Sequence, residues 1–404
     1  MQTRAHGFAS VRSVREYQER VPVRTYDEYG EVTASGVTHY ERTSGSSGAA
    51  KRIPYNRELR AEMGRAIAPW IVSLFAAHPA AFAGEAYWSI SPVLAEEDGS
   101  LGDEEHLGPM RARLVRAVQA VPSDVRFIRD VDEFRRTTLE HLLRCRTLSL
   151  ISVWHPSFLL LLLGDLRERA ATLWPNLRVI SCWSDANAAR DAAELARIFP
   201  RTHIQPKGLL STEGFVSIPI ADAEAPALAY RSHFYELRCT RTDRVLPATR
   251  GEVGGRYRVV LTTGAGLYRY DTEDVIEIVG FRDACPLLRF VGRAQHISDH
   301  YGEKLNEIFV RERLERALSQ HGIDATFAML ACEENTYVLF IESAADDKPL
   351  LDAAHTLDAT LRENIHYDYC RRLGQLSALR VFRTKNASAT YLTHATQRLG
   401  DVKL

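Results

Sequence analysis

The run TSGSSGAAK, Thr43 to Lys51, puts two glycines, four hydroxyl side chains and one lysine into nine residues. Glycines let a backbone turn sharply and approach a ligand closely. Successive N–H groups in such a turn form a concave nest for anions, and Lys51 adds a mobile positive charge. The guest this pattern predicts is a polyphosphate, held by Thr43, Ser44, Gly45, Ser46, Ser47, Gly48 and Lys51. It is not a Walker A loop, because Ala50 precedes the lysine and Arg52 follows it. A second group is Glu213 in LLSTEG, Leu209 to Gly214, a carboxylate in an otherwise apolar or small run. Carboxylates in such places are paired or bind a metal. Mg²⁺ takes few carboxylates plus phosphate oxygens, so one glutamate beside a nucleotide suffices. Thr212 can hydrogen-bond a carboxylate or a phosphate; a salt-bridged structural Glu213 is the alternative.

Two further pieces follow. Asp274, in GLYRYDTEDVIEIVGF (Gly266 to Phe281), lies between an aromatic and a β-branched stretch, where a carboxylate can accept both ribose hydroxyls or simply serve a turn. Upstream, TTGAG (Thr262 to Gly266) lacks the third glycine of a dinucleotide fingerprint. Gly292, Arg293 and Gly302 mark a hinge in a polar, turn-rich segment. His296, Asp299 and His300 there are read as solvated hinge side chains rather than a zinc site, since the sequence supports no helix to carry one. No GxSxG elbow occurs and no nucleophilic cysteine can be nominated.

The elements that must position these groups are legible from periodicity. THYER reads as a strand leading into the phosphate run. Asn56 then caps a helix with apolar positions Leu59, Met63, Ile67, Ile71 and Leu74, which Pro69 is placed to kink. Strand, glycine turn and helix in succession would aim N–H groups and a helix dipole at the ligand. Strands YWSISPV, LSLISVW and NLRVISCW and the strand and turn HIQPKGLLSTEGFVSIPI alternate with helical patterns at Met110 to Ala120, Asp132 to Leu143, the FLLLLL run and Asp185 to Phe199, which indicates α/β layering. The acidic EEDGSLGDEEHLG reads as a surface loop. After Ala229 short strands with glycine turns predict a barrel or small antiparallel sheet. Beyond the hinge, a helix from Asn306 to Gln320, two strands, a helix from Leu350 to Ile365 and a last strand form an α+β unit. The tail is polar. The division predicted is residues 1–290 as a large domain and 291–404 as a small mobile one, with the hinge at about 290–303.

The 404 residues carry 51 basic and 52 acidic side chains mixed along the chain, a net charge of -1, which gives no basic face for nucleic acid. Hydrophobic residues at 45% suffice for sizeable cores. The six scattered cysteines form no CxxC pair and suit reduced thiols in a cytoplasmic protein. No secretory signal opens the chain, and FLLLLL is far short of the ~20 residues of a membrane span.

Taken in order, the phosphate run, STEG, the ribose aspartate and the GR-to-G interval resemble the adenylate-forming superfamily of acyl-CoA ligases, luciferases and peptide-synthetase adenylation domains. Within it the chain is most similar to the auxin-responsive Gretchen Hagen family of acyl acid-amido synthetases. The residues responsible are VREYQERVPVRTYDEY (Val14 to Tyr29), WPNLRVISCW (Trp174 to Trp183), PKGLLSTEGFVSIP (Pro206 to Pro219), LTTGAGLYRYDTEDVIEIVGF (Leu261 to Phe281) and GEKLNE (Gly302 to Glu307). The resemblance implies a large adenylate-forming α/β domain of layered subdomains plus a small β-barrel-like part, followed by a small α+β domain. It implies an AMP-forming ligase that adenylates a carboxylic acid with Mg-ATP and conjugates it to an amine, typically of an amino acid; an acyl-CoA ligase or a non-catalytic nucleotide-binding regulator is the alternative. By the same resemblance Ser211 and Arg293 join the nucleotide contacts, Thr212 and Glu213 act in catalysis with Glu213 on the metal, and Lys403 in RLGDVKL matches the superfamily's C-terminal lysine. Three features depart from the pattern: the family's N-terminal segment is missing or short, Glu273 stands where a glycine usually precedes the ribose aspartate, and His296 stands where many members have an acid. Trp154, Phe158, Trp183 and Phe215 are aromatic candidates near the acid, read first as core.

Overall fold

The computed structural model describes residues 10–29, 32, 34–42, 51–89, 118–128, 130–294, 297–298, 300–301 and 303–387. Thr43 to Gly48, His296, Asp299, Gly302 and Lys403, like the acidic loop and most of the helical pattern from Met110, lie outside them. The chain divides into two compact units between Val291 and Gly292.

In the first unit, a parallel sheet runs in the order Ala86–Trp88, Leu150–Ser152, Val179–Cys182, His203–Pro206. Side chains alternate across a strand, so each register row belongs to one face. The row Tyr87, Ile151, Ile180 packs under helices Val131–Arg144, Pro156–Leu163 and Ala189–Ile198. The row Ala86, Leu150, Val179 packs against the end of helix Arg57–Ala77 through Leu74 and Trp70. The FLLLLL run is apolar on every side and is accordingly a buried helix.

Helix Arg57–Ala77 continues through Pro69 without splitting. Its cap is Asn56, whose Oδ1 accepts the Leu59 N–H at 2.9 Å. The succession strand, glycine turn, helix is not what precedes it. A second strand, Arg52–Tyr55, intervenes and pairs antiparallel with His39–Arg42, Arg42 opposite Arg52. Residues 43–50, between these two paired strands, lie outside the described residues. RIPY is a strand of four residues with Ile53 and Tyr55 buried.

The strand-rich part is a seven-stranded sheet in the order Val245–Pro247, Phe234–Cys239, Arg256–Thr262, Tyr270–Arg282, Cys285–Arg293, Ala227–Leu228, Ser217–Ile218. Helix Val14–Arg20 is tied to it by buried charge. Arg269 forks onto Glu236 at 2.8 and 3.0 Å and also donates to the Gln18 and Val21 carbonyls, while Gln18 donates to Glu236.

The second unit carries strands Ala325–Glu333 and Thr336–Ser343 antiparallel, with Arg380–Arg383 parallel to the latter. Helices Glu307–Gln320 and Asp347–Leu361 share their core. The single helix foreseen from Leu350 to Ile365 is two: Asn364 breaks the run and caps Ile365–Arg372 by accepting the His366 and Tyr367 N–H groups.

Candidate active site

Glu213 sits at the tip of a two-residue hairpin, between Leu210–Ser211 and Gly214–Phe215. Ser211 Oγ closes the turn on the Gly214 carbonyl at 2.9 Å, and Tyr55 from the phosphate-run hairpin donates to the Thr212 carbonyl at 3.0 Å. Glu213 is 5% exposed. Lys51, at the end of the phosphate run, reaches the same place: its Nζ is 3.9 Å from Glu213 Oε1 and donates to the Tyr270 hydroxyl at 2.8 Å. Tyr270 in turn donates to Glu213 Oε1 at 3.2 Å. The ammonium also lies over the rings of Tyr26 and Tyr270, at 5.6 and 5.5 Å. Residues more than fifty positions apart thus form one chain: Lys51, Tyr270, Glu213.

All of these contacts fall on Oε1. Glu213 Oε2 makes no hydrogen bond among the described residues, which leaves one carboxylate oxygen for a hard cation such as Mg²⁺. No cluster of three or more His, Cys, Asp or Glu side chains that would hold a metal alone occurs among the described residues. The donor set therefore fits a cation that takes most of its ligands from phosphate and water.

Asp274 lies four residues along the strand from Tyr270 and is 6% exposed. The ladder shifts there: Arg258 pairs with Val275 but Val260 with Asp271, so Thr272 to Asp274 stand opposite Val259 alone. Thr272 Oγ1 bonds the Val259 carbonyl and accepts the Asp274 N–H; Asp271 accepts the Glu273 N–H. Glu273 has φ +66°, the left-handed conformation that favours glycine, so the glutamate occupies the glycine geometry of this turn. Arg293 ends strand Cys285–Arg293 and belongs to the second unit.

The structure therefore joins Lys51, Thr212 and Glu213 and adds three residues that sequence reasoning missed. Tyr270, fully buried, lies in the aromatic LYRYD run, where residue type alone does not set it apart from Tyr268. Tyr26 supports Lys51 and exchanges hydrogen bonds with the Arg52 backbone at 2.8 and 3.1 Å. Glu62, on helix Arg57–Ala77, accepts the Gly264 N–H with both oxygens and pairs with His233 Nδ1 at 3.0 Å. His233 in turn packs its ring edge on Gly214, where a Cβ would stand 2.9 Å from Nε2. Of the aromatic candidates, Phe158 is core, whereas Trp154 and Trp183 are partly exposed and face each other at 5.7 Å. All six cysteines are free. No helix among the described residues is long and apolar enough to cross a membrane.

Comparison with known proteins matches residues 3–173 to the GH3 family N-terminal domain and residues 226–293 to the GH3 family central domain, together more than half of the chain. A curated relative, the probable indole-3-acetic acid-amido synthetase GH3.9 of Oryza sativa subsp. japonica, is 28% identical over 196 residues, 44% of each chain. The match thus spans less than half the length of that relative. Among solved structures, the AtGH3.15 acyl acid amido synthetase in complex with 2,4-DB superposes with a TM-score of 0.77 at 15% identity, over 97% of this chain and 85% of that one. A 2-hydroxyisobutyryl-CoA ligase in the postadenylation state with 2-HIB-AMP gives 0.54 at 14%, over 95% and 80%. At these identities the structures establish a shared adenylate-forming fold.

Proposed function

This chain belongs to the GH3 family, and from that membership we propose that it is an AMP-forming ligase that couples a carboxylic acid to an amine, most simply of an amino acid. The observation that carries the proposal is the convergence of Lys51, Tyr270 and Glu213. It brings together a cation, a hydroxyl and a carboxylate, a set of groups suited to a triphosphate and its counterion. In the first step a carboxylate oxygen attacks the α-phosphorus of ATP, the bond to the β-phosphate oxygen breaks, and pyrophosphate leaves. Charge builds on phosphate oxygens, so preplaced donors lower the barrier more than covalent chemistry does. Thr43 to Gly48 and Lys51 donate to the phosphates, Ser211 and Thr212 to the α-phosphate or the reacting carboxyl, and Asp274 accepts the ribose hydroxyls. Glu213 Oε2 would hold Mg²⁺, which supplies charge neutralisation on the phosphates. In the second step an amine attacks the acyl carbonyl and AMP leaves. A free α-amino group has pKa ≈ 7.7–8.0, so about a tenth to a fifth is neutral at pH 7.

The second unit is proposed to move about the Gly292–Gly302 segment between the two steps, bringing Arg293 and Lys403 to the nucleotide. A cytoplasmic location suits ATP as substrate and six free cysteines. The test is incubation with Mg-ATP and a panel of carboxylic acids, with and without mixed amino acids, scoring AMP and the mass of the product. Acid-dependent AMP and an amide mass are expected. ADP, or no AMP with any acid, overturns the proposal; a thioester formed only with coenzyme A would redirect it to acid–thiol ligation.

A further inference from the structure

Ligands of open α/β sheets bind beyond the carboxyl ends of the strands. In the parallel sheet of the first unit that edge is built from unusual parts. Lys207 follows strand His203–Pro206 and is 4% exposed. Its Nζ donates to Ser152 Oγ, at the end of the second strand, at 2.8 Å, and lies 4.5 Å from the centre of the Trp154 ring. Trp154 faces Trp183, 5.7 Å away, beyond the end of the third strand. Ser152, Ser181 and Gln205 are register partners and form a polar row across one face. Gln205 is engaged by Trp70, whose Nε1 donates to its Oε1 at 2.9 Å. Ser181 Oγ is buried and has no hydrogen-bond partner among the described residues. Trp70, Trp154 and Phe215 belong to one apolar cluster, so this wall runs up to the residue two places after Glu213.

We propose that this wall is the acid-binding surface. Lys207 and Ser181 would recognise a second oxygen-bearing group on the acid, separate from the carboxyl that is activated. The substrate class is therefore an acid with a flat unsaturated body that carries another carboxylate or a phenolic hydroxyl. Indole faces take flat unsaturated rings. An ammonium and a hydroxyl select a charged or hydrogen-bonding oxygen there, whereas close packing of an apolar body calls for neither. Lys207 and Ser181 act here as binding residues, and the inference rests on the adenylation proposed above.

The test is acid-dependent pyrophosphate exchange with benzoate and its 2-, 3- and 4-carboxy derivatives, and with phenylacetate and its 2-, 3- and 4-hydroxy derivatives. The unaltered protein should prefer at least one substituted acid over its parent by about tenfold or more in kcat/KM. Lys207→Met should lower that preference ratio by a similar factor, with kcat/KM for the parent acid and Tm measured beside it. Ser181→Ala should lower the same ratio by about fivefold, one hydrogen bond's worth. Equal use of parent and substituted acids by the unaltered protein overturns the inference but leaves adenylation standing. So does a parallel loss on both in Lys207→Met with a fallen Tm, which would make the lysine a packing residue. No exchange with any acid overturns adenylation and this inference together.

Discussion

Glu213 and Tyr270 meet at the centre of the candidate site. Glu213→Ala should lower acid-dependent pyrophosphate exchange by ~10²-fold or more, the cost of removing one preorganised stabiliser; exchange at the unaltered rate would remove Glu213 from the metal role. Tyr270→Phe deletes only the hydroxyl between Lys51 and Glu213. One hydrogen bond is worth about 1 kcal/mol, so a roughly fivefold drop is expected, with KM for Mg-ATP rising more than kcat falls. Glu273 is a different case. A non-glycine residue in the left-handed region costs about 1–2 kcal/mol, and glycine adds about 0.5–1 kcal/mol of unfolded-state entropy. Glu273→Gly should therefore leave Tm unchanged or raise it slightly; a clear fall would show that the glutamate side chain supports the turn.

Single elements carry two further consequences. Helix Val14–Arg20 is held by the buried Arg269–Glu236 pair. Removing one partner of such a pair costs about 3–5 kcal/mol because the other charge stays buried. Arg269→Ala should thus lower stability on that scale and expose the amides of residues 14–21 to hydrogen exchange before the rest of the sheet. Tyr270 is the next residue, so the lead-in helix is part of what holds the site. In the second unit Glu303 is fully buried. Burial works to raise its carboxyl, but the His300 and Tyr301 N–H groups and the Tyr337 hydroxyl outweigh it and hold the carboxyl below its usual value of 4.5. A carboxylate with a depressed folded pKa contributes stability above the unfolded value and loses it as pH falls through the folded one. The second unit should therefore destabilise as pH drops below about 4.5, and Glu303→Gln should flatten that dependence in a pH series of denaturant midpoints.

At the scale of the whole molecule the proposal is one of motion. Gly292, the first residue of the second unit, has φ +153°, and a Cβ there would stand 2.7 Å from Ile308 Cγ1. Glu303 is tied to the second unit's own sheet through Tyr337. Structures trapped with an acyl-adenylate mimic and with an amide product should differ in the orientation of the second unit. A single orientation in both would rule the motion out. Lys403→Ala should slow pyrophosphate exchange with little change in ATP binding; equal rates would make the tail lysine a bystander.

Local chemistry was legible in the chain. Asn56 as a cap, the buried FLLLLL helix, the alternation of strand and helix, and Glu213 as an out-of-place carboxylate all follow from residue type and spacing over a few positions. That is why the family resemblance could be seen in short segments. What the residues alone could not supply was pairing across long separations. RIPY reads as part of a loop until His39–Arg42 lies beside it, and Tyr270 is one aromatic among many until Lys51 arrives from 219 positions away. Lys207 is one lysine among many until the end of strand Leu150–Ser152 brings Ser152 and Trp154 to it. Propensity and period act within a turn or a strand, whereas burial and hydrogen-bond partners are properties of the folded chain, and only the tertiary structure decides them.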